Sequence, residues 1–268
     1  MITINGFGRA GRLGNQIFQY ALLFYLNKTK GYDIHLPLDV DCQFWKCFDL
    51  QNVNIHQYRK QGGYRVFHER FGSCNFDDVV LQQSDNTIFD GYYQSYMYFD
   101  SLKNELIHSL KFKQHIIDEG NQELAKYKNK NTVSLHIRRT DYLDFVDRWG
   151  DLFSDGFYNE ATKSINDETE NVLIFTDDNN FARQHFTKPN YHVIDKNEYV
   201  SLYMMTQCDR HIMSNSSFAW WGAYLSGKDN VICPRPWWNK NMPAPNHEQK
   251  NITKPEWQHI NSFHIKGR

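Results

Sequence analysis

The sequence predicts an α/β protein built on parallel sheets. Two observations carry that reading. Short apolar, β-branched runs alternate with longer stretches of helical periodicity along the chain. Several of those runs also end in charged or small polar residues, which is where an open α/β sheet holds its ligand. In order, Ile2 to Ile4 reads as a first strand. GRAGRLGNQIFQYALLFYL (8–26) is glycine-rich and then helical from Asn15, with Ile17, Phe18, Ala21, Leu22 and Tyr25 at helical spacing. Ile34 to Leu38 and Val79 to Leu81 read as strands, and the stretch from Leu102 to Leu110 as a helix. The polar run Lys126 to Asn131 is the best candidate boundary between two halves. After it the alternation resumes with strands at Thr132 to Ile137, Val172 to Thr176, Tyr191 to Ile194, His211 to Ser214 and Val231 to Cys233. No internal repeat or low-complexity tract interrupts it.

Chemistry concentrates at the ends of these strands. HIRRTDY (136–142) sets Arg138 and Arg139 just after an apolar strand. A guanidinium fork is planar, permanently charged and suited to two-pronged bonds with phosphate oxygens; the alternative is an arginine pair bridged to Asp141. SNSSFAWWGAYL (214–225) reads as a polar turn leading into a helix entered through Ser216 or Ser217, where N–H groups can meet an anion. LIFTDD (173–178) ends in two carboxylates, able to accept from a guanine ring or from ribose hydroxyls. Asp39 and Asp41 form a DxD after Ile34 to Leu38, either a divalent-metal site or a solvated turn, and the turn is favoured. NGFGRAGR (5–12) carries GxGxxG spacing at Gly6, Gly8 and Gly11, with Asp33 near the place of a ribose-binding acid. This start looks like that of glyceraldehyde-3-phosphate dehydrogenase, but the likeness stops by Leu13.

Composition narrows the class. The chain has 268 residues, long enough for one large or two modest domains, and a formal net charge of −1, which argues against an extended nucleic-acid surface. No window near the start has the flank and apolar length of a signal peptide or membrane anchor, so a cytoplasmic protein is expected. The five cysteines, Cys42, Cys47, Cys74, Cys208 and Cys233, include no CxxC pair and suggest neither a disulfide framework nor a zinc site.

Taken together and in this order, GRLGNQIFQYA (11–21), DGYYQSYMYF (90–99), HIRRTDY (136–142), FTDD (175–178), LYMMTQC (202–208), SNSSFAWWGAYL (214–225) and CPRPWW (233–238) resemble the α-1,2-fucosyltransferases of glycosyltransferase family 11. Arg12 and Thr140 depart from the glycines that many members carry. They look like the forms in O-fucosyl and α-1,6-fucosyl transferases, which leaves donor use intact and opens the acceptor linkage. The resemblance implies a GT-B-like fold, two facing Rossmann-like domains with a cleft between them: an acceptor-side domain at 1–128 and a GDP-fucose-binding domain at 129–268. It implies an inverting, metal-independent transfer of L-fucose from GDP-β-L-fucose to a glycan or glycoconjugate acceptor, at O-2 of a terminal β-galactoside, with no cofactor. The place of action would be the cytoplasm, or the membrane periphery where glycolipid acceptors are built.

By the same resemblance Arg138 stabilises charge on the leaving phosphate, with Arg139 beside it or turned back onto Asp141. Ser216, Ser217 and the Phe218 amide hold the β-phosphate, Asp177 reads guanine, and His136 positions base or ribose. Arg12, Gly14, Asn15 and Gln16 complete the donor site. No general base is identifiable, and Trp149, Tyr92, Tyr93 and Trp237 could stack on acceptor sugars. Two other classes stay open: a nicotinamide-linked oxidoreductase resting on GxGxxG, and a catalytically inactive nucleotide-sugar-binding or lectin-like module.

Overall fold

The structure is a computed structural model and describes residues 1–59, 62–239 and 249–262. The chain forms two compact units. One is Met1–Lys113 with the described part of Ala244–Thr253; the other is the described part of Gln114–Pro243 and Lys254–Arg268.

The first unit carries β1 (Ile2–Ile4), α1 (Leu13–Lys30), β2 (Ile34–Leu36), α2 (Gln43–Cys47), β3 (Phe48–Leu50), β4 (Ile55–Gln57), β5 (Arg65–His68), α3 (Asp78–Gln82), β6 (Thr87–Asp90), α4 (Lys103–Ser109) and β7 (Leu110–Phe112). Five strands make a sheet in the order β4-β2-β1-β6-β5, every neighbour parallel. Helix α1 is buried over most of its circumference, from Leu13 through Leu26, as expected of a crossover helix rich in Leu, Phe and Tyr. It ends where Gly31 adopts φ 71° and returns its amide to Asn27, with Lys28 and Lys30 beside the negative end of the helix dipole.

One expected strand is a helix. Val79 to Leu81 lie in α3, because Asp77 accepts from the Val79 amide at 3.1 Å and caps a helical turn there. The strand beside β1 is instead Thr87–Asp90, which alternates buried and half-buried residues. Strands β4 and β5 have no counterpart in the sequence reading. IHQ and RVFH sit at the two sheet edges, the first half-buried and the second largely exposed, and carry little apolar signal.

The second unit carries α5 (Gln114–Leu124), β8 (Asn131–Ile137), α6 (Thr140–Leu143), α7 (Val146–Trp149), α8 (Phe157–Ala161), β9 (Glu170–Thr176), α9 (Asn179–His185), β10 (Tyr191–Val193), α10 (Glu198–Gln207), β11 (Arg210–Ile212), α11 (Ser217–Leu225), β12 (Val231–Arg235) and β13 (Gln258–Asn261). Its six strands are all parallel in the order β10-β9-β8-β11-β12-β13. Counted along the chain that is 3-2-1-4-5-6, the order of the Rossmann fold, with its switch point between β8 and β11. Val133, Leu135, Ile137, Val172, Ile174, Ile212 and Ile232 fill the core between sheet and helices.

Helix α10 is buried on nearly every side, and glycines let its neighbours come close. A Cβ at Gly120 of α5 would stand 2.4 Å from Tyr203, and one at Gly222 of α11 would stand 2.5 Å from Met205. Tyr203 Oη also donates to Asn121 at 2.9 Å, and Lys196 Nζ to Glu119 at 3.0 Å. These contacts tie α5 to the second unit, so this unit begins at residue 114 where the sequence suggested 129. No described helix is long and apolar enough to cross a membrane.

Candidate functional site

The carboxyl ends of β8 and β11 flank the switch point of the second unit, and a buried bond joins them. His136 Nδ1 lies 2.8 Å from Ser214 Oγ, and Tyr158 Oη donates to the His136 carbonyl at 3.1 Å. Burial in this apolar crevice holds the His136 imidazole well below the ordinary histidine range; the nearby Asp177 acts against that and Arg138 adds to it. The ring is therefore neutral at physiological pH.

Arg138 follows directly. Its Nη2 donates to Asp141 Oδ2 at 2.6 Å, and its Nη1 lies 3.2 Å from Asp177 Oδ2. Burial works against the charge, but the Asp141 hydrogen bond and Asp177 raise the Arg138 pKa above its ordinary value. The two carboxylates differ. The Asp141 side chain is 50% exposed and that of Asp177 only 18%. Asp177 is also committed to the backbone of the same loop: Oδ1 accepts the Arg139 amide at 2.9 Å and Oδ2 the Thr140 hydroxyl at 2.6 Å. In this structure it braces the arginine loop; the guanine contact expected of it would have to share those oxygens.

Arg139 does not stand beside Arg138 and does not turn back onto Asp141. Its guanidinium sits 4.0 Å above the Phe181 ring, and its Nη1 reaches Asp151 at 3.3 Å. Asp151 in turn accepts from the Phe153 amide at 3.1 Å and the Ser154 hydroxyl at 2.6 Å. Arg139 is thus an anchor between β8 and α9, while Arg138 is held at the end of β8 by Asp141 and Asp177. The loop before α11 is pinned to the same region. Tyr142 Oη donates to the Asn215 carbonyl at 3.0 Å, and Asn215 Nδ2 to the Trp149 carbonyl at 2.8 Å.

Helix α11 starts at Ser217 with Ser216 as its cap, which settles the choice between the two serines. The Ser216 hydroxyl accepts from the Phe218 amide at 3.3 Å. The amide expected to meet a phosphate is therefore engaged by its own cap, through a long bond. His136 and Phe218 lie close as rings, 5.7 Å between centroids. His136, Arg138, Asp141, Asp177, Ser216 and Phe218 are thus brought to one crevice edge.

In the first unit the glycine turn after β1 leads into α1. Gly11 has φ +78°, and a Cβ there would stand 2.6 Å from Asn15 and 2.9 Å from Tyr92, so no other residue fits. Gln16 is buried and spans two partners: its Nε2 donates to the Gly11 carbonyl at 3.1 Å and its Oε1 accepts the Phe44 amide at 2.9 Å. That makes Gln16 a brace of the turn, where the sequence suggested a ligand contact. Gly14 is buried beside it. Asn15 Oδ1 accepts from Gln94 Nε2 at 2.6 Å. Arg12, the residue before α1, is exposed and pairs with no carboxylate among the described residues.

The competing motifs come out differently. Asp33 immediately precedes β2, and its carbonyl accepts the Ile2 amide at 2.8 Å. It stands at the amino edge of the sheet, whereas a ribose-binding acid must stand at the carboxyl edge, so the nicotinamide reading loses its key residue. Asp39 accepts from Gln57 Nε2 at 3.1 Å and Asp41 pairs with Lys46 at 2.9 Å, both in the turn after β2. Among the described residues no three His, Cys, Asp or Glu side chains converge as a metal site would require. All five cysteines are free and buried. A cavity of about 450 Å³ lined by Lys126, Tyr127, Asp167, Lys188 and His192 lies at the amino edge of the second sheet, away from the switch point.

Several residues of the site escaped sequence reasoning. Asp151, Phe181 and Tyr142 fix the arginine loop, yet only Tyr142 lies within a recognisable motif. Gln94 lay within DGYYQS without a role assigned to it.

Comparison with known proteins bears on this geometry. The profile of glycosyl transferase family 11 matches residues 1–261. The O-antigen biosynthesis glycosyltransferase WbnK of Escherichia coli is 27% identical, over 92% of this chain and 97% of its own length. An α-1,2-colitosyltransferase of the same species is also 27% identical, over 86% and 91%. The galactoside α-(1,2)-fucosyltransferase 2 of Oryctolagus cuniculus is 23% identical, over 96% and 74%. The crystal structure of NodZ α-1,6-fucosyltransferase soaked with GDP-fucose shares the fold, with a TM-score of 0.55 at 14% identity over 84% of this chain and 92% of that one. With two parallel, Rossmann-like sheets of GT-B type and a family profile spanning nearly its whole length, the chain belongs to glycosyl transferase family 11.

Proposed function

We propose that this chain transfers L-fucose from GDP-β-L-fucose, with inversion, to O-2 of a terminal β-galactoside on a glycan acceptor. The observation that carries the reading is Arg138, a guanidinium fork held at the switch point of a Rossmann-type sheet in a family 11 chain. The acceptor hydroxyl attacks the anomeric carbon from the face opposite the diphosphate. As the C1–O bond breaks, charge gathers on the β-phosphate, and Arg138 meets it. Asp177 holds the guanidinium from behind, and the more exposed Asp141 is the partner that the phosphate replaces. A charge-assisted donor of this kind is worth about 3–4 kcal/mol to the transition state. The helix start at Ser216 and Ser217 receives the rest of the diphosphate. No metal or cofactor is needed, because fixed cations and N–H donors do the work of a Lewis acid.

An α-1,2 linkage is supported by the names of the mammalian and colitosyl relatives, and a galactoside acceptor by the mammalian one. The colitosyl relative also favours a second reading of the donor, since colitose is fucose without its 3-hydroxyl. Incubation with a β-galactoside and either GDP-fucose or GDP-colitose, with the product linkage read by NMR, decides. An α-1,2-fucoside is expected; faster turnover of GDP-colitose would move the assignment to that donor, and GDP release without any glycoside would overturn the transferase reading.

A further inference from the structure

The segment that follows Arg138 in the second unit keeps its apolar side chains outside. Helices α6 and α7 are single turns of four residues each, and neither contributes a buried residue. Leu143, Phe145 and Val146 are 38%, 48% and 40% exposed, and the core of this unit skips from Ile137 to Leu152. Large apolar side chains grouped on a surface mark a place where something binds.

The segment is nevertheless fixed. The Leu143 amide donates to the Arg139 carbonyl at 3.0 Å, the Trp149 amide to that of Phe145 at 3.0 Å, and the Asn239 amide to that of Arg148 at 3.0 Å. Asn215, held by the Tyr142 hydroxyl, donates to the Trp149 carbonyl, so the loop before α11 clasps both helical turns.

Its rings form a row that begins at Arg138. That guanidinium lies 5.7 Å from the centre of the Tyr142 ring. Tyr142 and Trp149 are 4.9 Å apart, with 34° between their planes, and Phe145 meets Trp149 edge-on at 5.1 Å.

Charge decides what can lie on this row. Asp144 and Asp147 are exposed beside it, and Arg148 sits 5.9 Å from the Phe145 ring. An excess of carboxylates repels phosphates, and a surface meant for anionic lipid would carry Lys and Arg instead. A neutral sugar suits it: the C–H face of a pyranose packs on aromatic rings while its hydroxyls donate to carboxylates.

We propose that Phe145 and Trp149 are the platform for the sugar that carries the terminal galactose of the acceptor; this rests on the transferase reading above. The galactose itself must lie against the anomeric carbon, beside the phosphate that Arg138 meets. The rings lead away from that point on the same unit, and the next sugar of the acceptor lies along them. Contacts so far from the reacting atoms are equally strong before and in the transition state, so they lower KM and leave kcat unchanged.

The test uses the whole chain, GDP-fucose and two acceptors: methyl β-galactoside, and lactose, in which the same galactose is carried on glucose. Wild type should have the lower KM for lactose. Phe145→Ala, at an exposed position, should raise the KM for lactose about tenfold, the loss of one good aromatic contact. It should leave the KM for methyl β-galactoside, the kcat and the GDP dissociation constant within about twofold of wild type. Phe145→Tyr should restore the KM for lactose. A folded Phe145→Ala that keeps the lactose KM, or that raises the KM of both acceptors alike, would overturn the proposal alone. A wild-type chain that forms no glycoside with either acceptor would overturn the transferase reading, and the proposal with it.

Discussion

His136 and Ser214, 78 residues apart in sequence, bond at 2.8 Å and lock together the two strands that flank the switch point. Both are buried, and the imidazole is neutral. Ser214→Ala would leave a ring nitrogen without its partner in an apolar crevice, at a cost of about 1–3 kcal/mol. Urea unfolding should show that loss, and GDP affinity should fall with it because Arg138 lies two residues beyond. A variant as stable as wild type would show that the bond does not brace the site.

Acid sensitivity should arise from the same kind of burial elsewhere. His211 is buried in β11 with neither ring nitrogen bonded among the described residues, and burial lowers its pKa to about 3. Below about pH 6.5 the unfolded chain takes up a proton that the native chain refuses. Stability is therefore full above that pH and falls as the pH drops toward the folded value. His211→Leu should remove this dependence, gaining about 1.6 kcal/mol relative to wild type between pH 6.5 and pH 5. Unfolding curves at the two pH values check it; equal shifts at both would contradict the assignment.

Asp177 offers a choice between two roles. If it braces the arginine loop, as its bonds to Arg139 and Thr140 indicate, Asp177→Ala should lower turnover tenfold or more and weaken GDP and UDP to similar degrees. If it reads guanine, the variant should lose its preference for GDP over UDP while keeping turnover. Nucleotide competition measured with the variant separates the two.

Chelation bears on the DxD. With Asp39 and Asp41 occupied by Gln57 and Lys46, activity in excess chelator should stay within about twofold of the untreated protein. A fall beyond about tenfold, more than 1.4 kcal/mol, would mean that a Lewis acid takes part.

The parts of the fold that were legible in the sequence are those with a strong local signal. Strand β9 reads as a continuous apolar run from Val172 to Phe175, β8 sets apolar Val133, Leu135 and Ile137 in alternation, and α1 and α11 carry periodic or capped starts. The edge strands β4, β5 and β13 are short and half polar, so their formation depends on neighbours distant in sequence. Val79 to Leu81 misled because a β-branched pair was outweighed by a single capping aspartate. The arginine claw was visible as a motif, but its division of labour was not. That Arg139 turns away depends on Asp151 and Phe181, 12 and 42 residues on, and no spacing rule links them to Arg139.

The central claim is that Arg138 stabilises the leaving phosphate. Turnover of Arg138→Lys and Arg138→Ala, each confirmed as folded, tests it most directly. Lysine keeps the charge but loses the fork, which here must contact Asp177 and phosphate together, so both variants should lose a hundredfold to a thousandfold in turnover, about 3–4 kcal/mol. If Arg138→Ala kept more than about a tenth of wild-type turnover, a loss below about 1.4 kcal/mol, Arg138 would be only the ion-pair partner of Asp141 and Asp177.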